Sequence, residues 1–229
     1  MDISTTSLVP PASPEESQNV VQYFDYLLIL DFEATCQDGR KIKPQEIIEF
    51  PCVLINTRNG FETESIFHKY VRPIHHPIIS PFCTQLTGIT QDVVSQADTF
   101  EKVFIEFKNW LEHEQGLVVS NPESTQQKFC FITCGDWDLR YMLPQQCRVS
   151  QVFIPGYMKS WINIKTSFAS SLGLSKLEKP KGLSSMLHQL GMEFEGRPHS
   201  GIDDVKNIVR IVQSLAQKRN FKFETTSFL

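Results

Sequence analysis

The chain has 229 residues, 41% of them hydrophobic, with 17 Phe and a formal net charge of −4. That is enough apolar material for one sizeable domain with tails. No apolar run reaches the roughly 18 residues of a membrane span, no secretory signal opens the chain, and the charge excludes a broad basic surface for gripping nucleic acid.

Residues 1–22 are rich in Ser, Pro and Thr and read as a disordered leader. Residues 23–220 then form the domain and 221–229 a C-terminal tail. Six scattered cysteines without a C-x-x-C pair read as reduced residues of an intracellular chain, cytoplasmic or nuclear, with no zinc site. The first strand is the apolar run from Tyr26 that ends at Asp31. A polar loop, Cys36 to Pro44, turns at Asp38-Gly39. Glu46 to Ile55 is a second strand, in which Pro51 suggests a bulge or a sheet edge. Asn59-Gly60 is a hairpin signal, and Phe61 to Arg72 returns as the third strand of an antiparallel meander.

After the loop Pro73 to Ser80, Ser80 caps a short helix running from Pro81 to Gly88, and Thr90 caps another. Thr99 caps a longer helix with Phe100, Val103, Phe104, Phe107 and Leu111 on one face and Gly116 as its stop. Asn121 to Gln127 is a polar connection. Phe129 to Thr133 is a short buried strand, from which Gly135-Asp136-Trp137-Asp138 leads into a helix broken by Pro144. Cys147 to Lys159 is irregular, and helices follow over Trp161–Ser171 and Leu183–Leu190. The last helix, Asp203 to Lys218, has Val205, Ile208, Val209, Val212 and Leu215 as its apolar stripe. Strands first, then helices mixed with short strands, make an α/β fold with a mixed sheet.

Three places carry chemistry. Asp31 and Glu33, spaced i, i+2, project from one face of a strand. Two like charges at the end of a buried strand either raise a pKa or share a cation, and a hard divalent metal with oxygen ligands is the simplest such cation. A strand end that reaches solvent is the plain alternative. Asp136 and Asp138 stand at a strand-to-helix junction, where capping and the helix dipole would account for both. His199 lies on a Pro- and Gly-flanked loop before a helix whose first turn carries Asp203 and Asp204. Asp203 is placed to cap, which leaves Asp204 in need of another reason.

Asp-x-Glu ending a strand, an acid after a second strand, and His-x-x-x-x-Asp opening a late helix together resemble the DEDDh superfamily of 3′–5′ exonucleases. LLILDFEATC, PQEIIEFP, FCTQLTGIT, TCGDWDL, WINIK and GRPHSGIDDVKNI look like stretches of the Eri-type exoribonucleases, in order from residue 26 to about 219. TCGDWDL…MLP…QC and RPHSGIDD are most similar to the prion-interacting exonuclease branch. The resemblance implies a ribonuclease H-like exonuclease fold, its mixed sheet opening with a three-strand meander and flanked by helices. It makes Asp31, Glu33, Asp138 and Asp204 ligands of two Mg²⁺ ions, for which Mn²⁺ substitutes. His199 matches the general base, Asp136 and Asp203 become capping neighbours, and Glu33, Ala34, Phe82, Trp137 and His199 line the terminal nucleotide.

The implied reaction is hydrolysis of single-stranded RNA from its 3′ end to nucleoside 5′-monophosphates, with DNA as the alternative substrate and no membrane or identified protein partner. In such chemistry two ions clamp the attacking and leaving oxygens while a histidine accepts the proton of water. One departure bears on substrate choice. Eri-type members that read structured RNA ends carry a helical nucleic-acid module before the nuclease, where this sequence has some 22 leader residues. Two readings from other classes compete. A non-catalytic RNA-binding scaffold would not need all four acids and the histidine. A calcium loop would not follow an apolar strand and would place Gly at its sixth position.

Overall fold

The computed structural model describes residues 20–117, 128–174 and 180–229, so most of the expected leader and the polar connection at 121–127 lie outside the described residues. Strand β1 (Tyr26–Leu30) is apolar throughout because its sheet is covered on both faces. Leu28 and Leu30 point into one core with Phe50, Phe104, Phe107 and Trp161. Leu27 and Ile29 point into the other, with Val53, Ile162, Ile208 and Val212.

The remaining strands are β2 (Glu33–Ala34), β3 (Ile47–Asn56), β4 (Glu62–Arg72), β5 (Asp98–Thr99), β6 (Phe129–Thr133), β7 (Ser160–Asn163) and β8 (Ser227–Phe228). Among the described residues they form one mixed sheet, ordered β5-β4-β3-β1-β6-β7-β8, with β2 paired to β3. The antiparallel meander is β1, β3 and β4, and β6 and β7 add parallel strands on the other side of β1. The helices are α1 (Pro81–Thr87), α2 (Gln91–Gln96), α3 (Phe100–Asn109), α4 (Leu143–Val149), α5 (Ile164–Ser171), α6 (Leu183–Gln189) and α7 (Gly201–Arg219). Ser80 and Thr90 cap α1 and α2 through their side chains as expected, whereas Thr99 makes no such bond to α3. No helix among the described residues is long and apolar enough to cross a membrane.

Three local expectations change. Pro51 marks neither an edge nor a bulge. It lies in the interior strand β3, between Cys52, which pairs with Leu30, and Glu49, which pairs with Glu33. It therefore faces the interruption at Asp31–Phe32, where no ladder partner asks for its missing N–H. Pro144 does not break its helix. A π-turn (Asp138–Met142), closed by Leu143 N–H donating to Asp138 O, runs directly into α4, and the proline is accommodated in the first turn of α4.

Trp161–Asn163 belong to β7 rather than to a helix. Trp161 and Ile162 enter opposite cores, and a four-residue strand is too short to show its period in sequence. Asn163 then caps α5 by accepting from Lys165 N at 3.1 Å. The final residues pack on the domain: Phe223 is fully buried, its N–H donates to Gln22 Oε1 at 3.0 Å, and Ser227 pairs with Trp161.

Candidate active site

The site forms where the first strand is interrupted. Phe32 donates its N–H to Asp138 Oδ1 at 2.9 Å instead of to a neighbouring strand, and its ring packs edge-on against Phe50 at 4.8 Å. Asp31 and Glu33 flank this break. Asp138 begins the π-turn after β6, and Asp204 stands in the first turn of α7, both nearly inaccessible to solvent.

Helix α7 reaches the break because it begins with glycine. A Cβ on Gly201 would lie 2.9 Å from Asp31 O, 3.0 Å from Pro51 Cγ and 3.1 Å from Glu49 Oε2. Glu49, 1% exposed in β3, accepts from Gly201 N at 2.9 Å and Ile202 N at 3.2 Å, and its Oε1 lies 2.8 Å from His68 Nε2. It caps the helix from another strand, a duty that Ser200 does not perform with its own side chain. Sequence reasoning missed Glu49. Its signal was present, a carboxylate within the otherwise apolar run Ile47–Ile55. Glu49→Ala leaves two buried N–H groups without an acceptor, so we expect a loss on the order of 2–4 kcal/mol in chemical denaturation. Glu49→Gln, which keeps one oxygen acceptor, should lose less.

The acids expected to cap do other work. Asp136 Oδ1 accepts from Trp161 Nε1 at 3.0 Å and Ser227 Oγ at 2.7 Å, joining β7 and β8 to the junction rather than capping a helix. Asp203 Oδ2 accepts from Arg197 N at 3.0 Å, and Asp204 Oδ2 from His199 N at 3.1 Å. The twin acids of α7 thus tether the 196–199 loop. His199 is held at φ 64, a left-handed conformation uncommon outside glycine, which turns its exposed ring back toward the acids. One donor atom each of Glu33, His199 and Asp204 lie within 4.8 Å of one another.

Burial comes first among the causes that push these carboxyls up; in Asp31 and Glu33 repulsion by the neighbouring acids follows, and in Asp204 the His199 N–H opposes the rise while Glu49 and Asp203 add to it. Asp31 is raised well above the usual range by burial, then by Asp138, Asp204, Glu33 and Glu49. Glu33 is raised to about 9 by burial, then Asp204, Glu49 and Asp138. Burial takes Asp204 to about 7. Asp138 reaches about 6 through burial, and the Phe32 N–H opposes a further rise. Among the described residues none of the four forms an ion pair with Lys or Arg. A hard oxygen-donor set that no Lys or Arg pairs with directly fits a divalent cation such as Mg²⁺ or Mn²⁺.

This has a consequence for the metal-free chain. Carboxyls whose folded pKa exceeds the unfolded value contribute stability that is complete below about pH 4 and lost as pH rises through the folded values. The thermal midpoint in EDTA should therefore fall between about pH 5 and pH 9. Mg²⁺ should restore it increasingly over the same range, because its ligands must be deprotonated. Midpoints in EDTA that stay level or rise over that range would contradict the placement of these acids.

The expected nucleotide contacts flank the site. Ala34 is buried in β2, and α1 is tied beside it by Ser80 Oγ donating to Cys36 O at 2.7 Å and Cys83 Sγ to Ala34 O at 3.8 Å. Phe82 on α1 and Trp137, immediately before Asp138, both keep exposed rings.

Comparison with known proteins gives this geometry a lineage. The exonuclease family profile matches residues 28–212, a span that holds all four acids and His199. The solved nuclease domain of 3′hExo, a DEDDh family member bound to rAMP, superposes with a TM-score of 0.80 at 38% identity, covering 90% of this chain and 98% of that one. The chain belongs to the DEDDh exonuclease family. Among curated relatives, human ERI1 exoribonuclease 3 is 46% identical over 207 residues, 90% of this chain and 58% of that protein. Rat 3′-5′ exoribonuclease 1 is 42% identical over 204 residues, 89% of this chain and 56% of that protein. The chain therefore spans a little over half the length of these two relatives. The DEDDh exonuclease fold brings divalent-metal dependence with it, in agreement with the donor set.

Proposed function

We propose that this chain is a 3′–5′ exoribonuclease that trims single-stranded RNA from its 3′-hydroxyl end, releasing nucleoside 5′-monophosphates. The observation that carries the reading is the convergence of Asp31, Glu33, Asp138 and Asp204 from three separate segments, with His199 turned onto them. The relatives' names, and the rAMP bound by the structural neighbour, support an RNA end as substrate. Asp31, Glu33, Asp138 and Asp204 are the residues that would hold two Mg²⁺ ions, or Mn²⁺ in their place. Such ions supply Lewis-acid polarisation of the phosphoryl oxygens and charge neutralisation.

The chain's own residues do the rest. His199 accepts a proton from the attacking water near neutral pH. Its backbone N–H, bound to Asp204, keeps the imidazole on the same side as Glu33. Glu33 and Ala34 border the terminal nucleotide, and the exposed rings of Phe82 and Trp137 stack against bases that have left a helix, which favours single strands. Six unpaired cysteines suit a reducing compartment, cytoplasmic or nuclear.

The test is digestion of 5′-labelled and 3′-labelled oligoribonucleotides, with 3′-hydroxyl or 3′-phosphate ends, beside DNA of the same sequence. A ladder shortening from the 3′-hydroxyl, monophosphate product from the 3′ label and silence in EDTA are expected. Internal cuts, or undiminished cleavage in excess EDTA, would refute the reading, and faster cleavage of DNA would change the substrate class.

A further inference from the structure

A cleft of about 510 Å³ opens beside the acids, running from Pro198 and His199 past Asp31 to Cys134 and Lys181. At its Cys134 end stands Lys165, fixed in the first turn of α5 by the Asn163 cap. A cation there opposes the helix dipole, so helix formation does not account for it. The half-buried ammonium donates to Lys181 O at 3.0 Å and makes no ion pair among the described residues. It sits 3.9 Å from where a Cβ on Gly135 would be, so nothing larger than hydrogen stands between that backbone and the charge.

Gly135, beside the Lys165 ammonium, lies three residues before Asp138, which places Lys165 on the Asp138 side of the site rather than on the loop of His199. Arg197, the basic residue of that loop, is engaged elsewhere: its guanidinium packs at Gly88 of the α1 terminus and donates to Gln85 O. In an in-line displacement water enters opposite the leaving oxygen. Taking the proposed function as given, the leaving 3′-oxygen and the RNA upstream of it lie away from His199. We propose that Lys165, with Lys181 at the rim, forms a subsite for the phosphate of the nucleotide 5′ to the scissile bond. An ammonium with no ion-pair partner among the described residues, beside a cleft that Asp31 and Asp204 also line, answers the need for a contact to the polyanion that does not pass through the acids. The ligand is a phosphodiester within the strand, not the terminal phosphoryl group.

The experiment compares the wild-type chain with Lys165→Ala and Lys165→Arg, in Mg²⁺, on two substrates. One is a single-stranded RNA decamer. The other is the p-nitrophenyl ester of a nucleoside 5′-monophosphate, which has the scissile phosphate but no upstream nucleotide. For Lys165→Ala the ratio of kcat/KM on the decamer to that on the ester should fall about tenfold, the order of one charged hydrogen bond. The change should come mainly through KM, and the dependence of log KM on log salt should become shallower by about 0.7. Lys165→Arg should recover most of the ratio. An unchanged ratio, or an equal loss on both substrates, would overturn the subsite while leaving the exonuclease reading intact. A wild type that cleaves neither substrate would overturn that reading, and the subsite with it.

Discussion

Asp138→Asn and Asp204→Asn should each reduce single-turnover RNA cleavage by roughly 10³-fold or more, the scale of several kcal/mol of lost charge stabilisation. Asp136→Asn and Asp203→Asn should stay within about tenfold of the wild type. The contrast follows from what each oxygen touches. Asp136 accepts both its bonds on Oδ1, and Asp203 accepts from Arg197 N on Oδ2, so an amide oxygen can replace either. Asparagine at 204 likewise keeps the bond to His199 N but removes the charge that a cation needs. The same substitution should raise the metal-free thermal midpoint at about pH 8, since it deletes a buried carboxylate repelled by its neighbours. Loss of activity together with gain of stability is the signature of an acid kept for its ligand. Rates that rank the two pairs the other way round would reverse the assignment.

His199→Ala should cost on the order of 10²–10⁴ in rate, the usual worth of general-base catalysis. Alanine is strained at φ 64, so His199→Asn is the companion variant, because asparagine tolerates the left-handed region. Both should lose activity alike. The proximity of the ring to Glu33 and Asp204 makes a second role testable in the same proteins. A base leaves the Mn²⁺-induced rise in thermal midpoint nearly intact when removed, whereas a ligand takes most of that rise with it. Near-wild-type rates in both variants from about pH 6 to pH 8 would reduce His199 to a loop residue and remove the mechanism.

How far the fold and site were legible depends on the range of each interaction. The meander, the capped helices α1 and α2, and the stripe of α7 rest on local periodicity and turn chemistry, which a sequence displays. So do the spacings that bring Asp31, Glu33, His199 and Asp204 under suspicion, whereas only the family resemblance told Asp138 from Asp136. The duties of Asp136, Asp203 and Glu49 were not legible, since their partners lie on other elements. Asp136 serves Trp161 and Ser227, and Glu49 serves Gly201 and Ile202, 152 and 153 residues away. A capping residue and a cross-strand anchor look the same in one dimension. Strand β7 was lost for the opposite reason: four residues carry too little pattern, and its neighbour Phe129–Thr133 is remote in sequence. Lys165 closes the stretch WINIK, but no spacing to another charged residue gave it a role. Its meaning comes only from the acids, cleft and carbonyl around it.

The central claim is that these four carboxylates form one cation site. Calorimetric titration of the metal-free chain with Mn²⁺ at about pH 8 tests it most directly, with Asp138→Asn, Asp204→Asn and Asp136→Asn in parallel. The account predicts saturable binding of two ions per chain in the wild type and in Asp136→Asn, weakened about tenfold or more in Asp138→Asn and Asp204→Asn. Absence of saturable binding in the wild type, or binding that survives unchanged in Asp204→Asn, would contradict it.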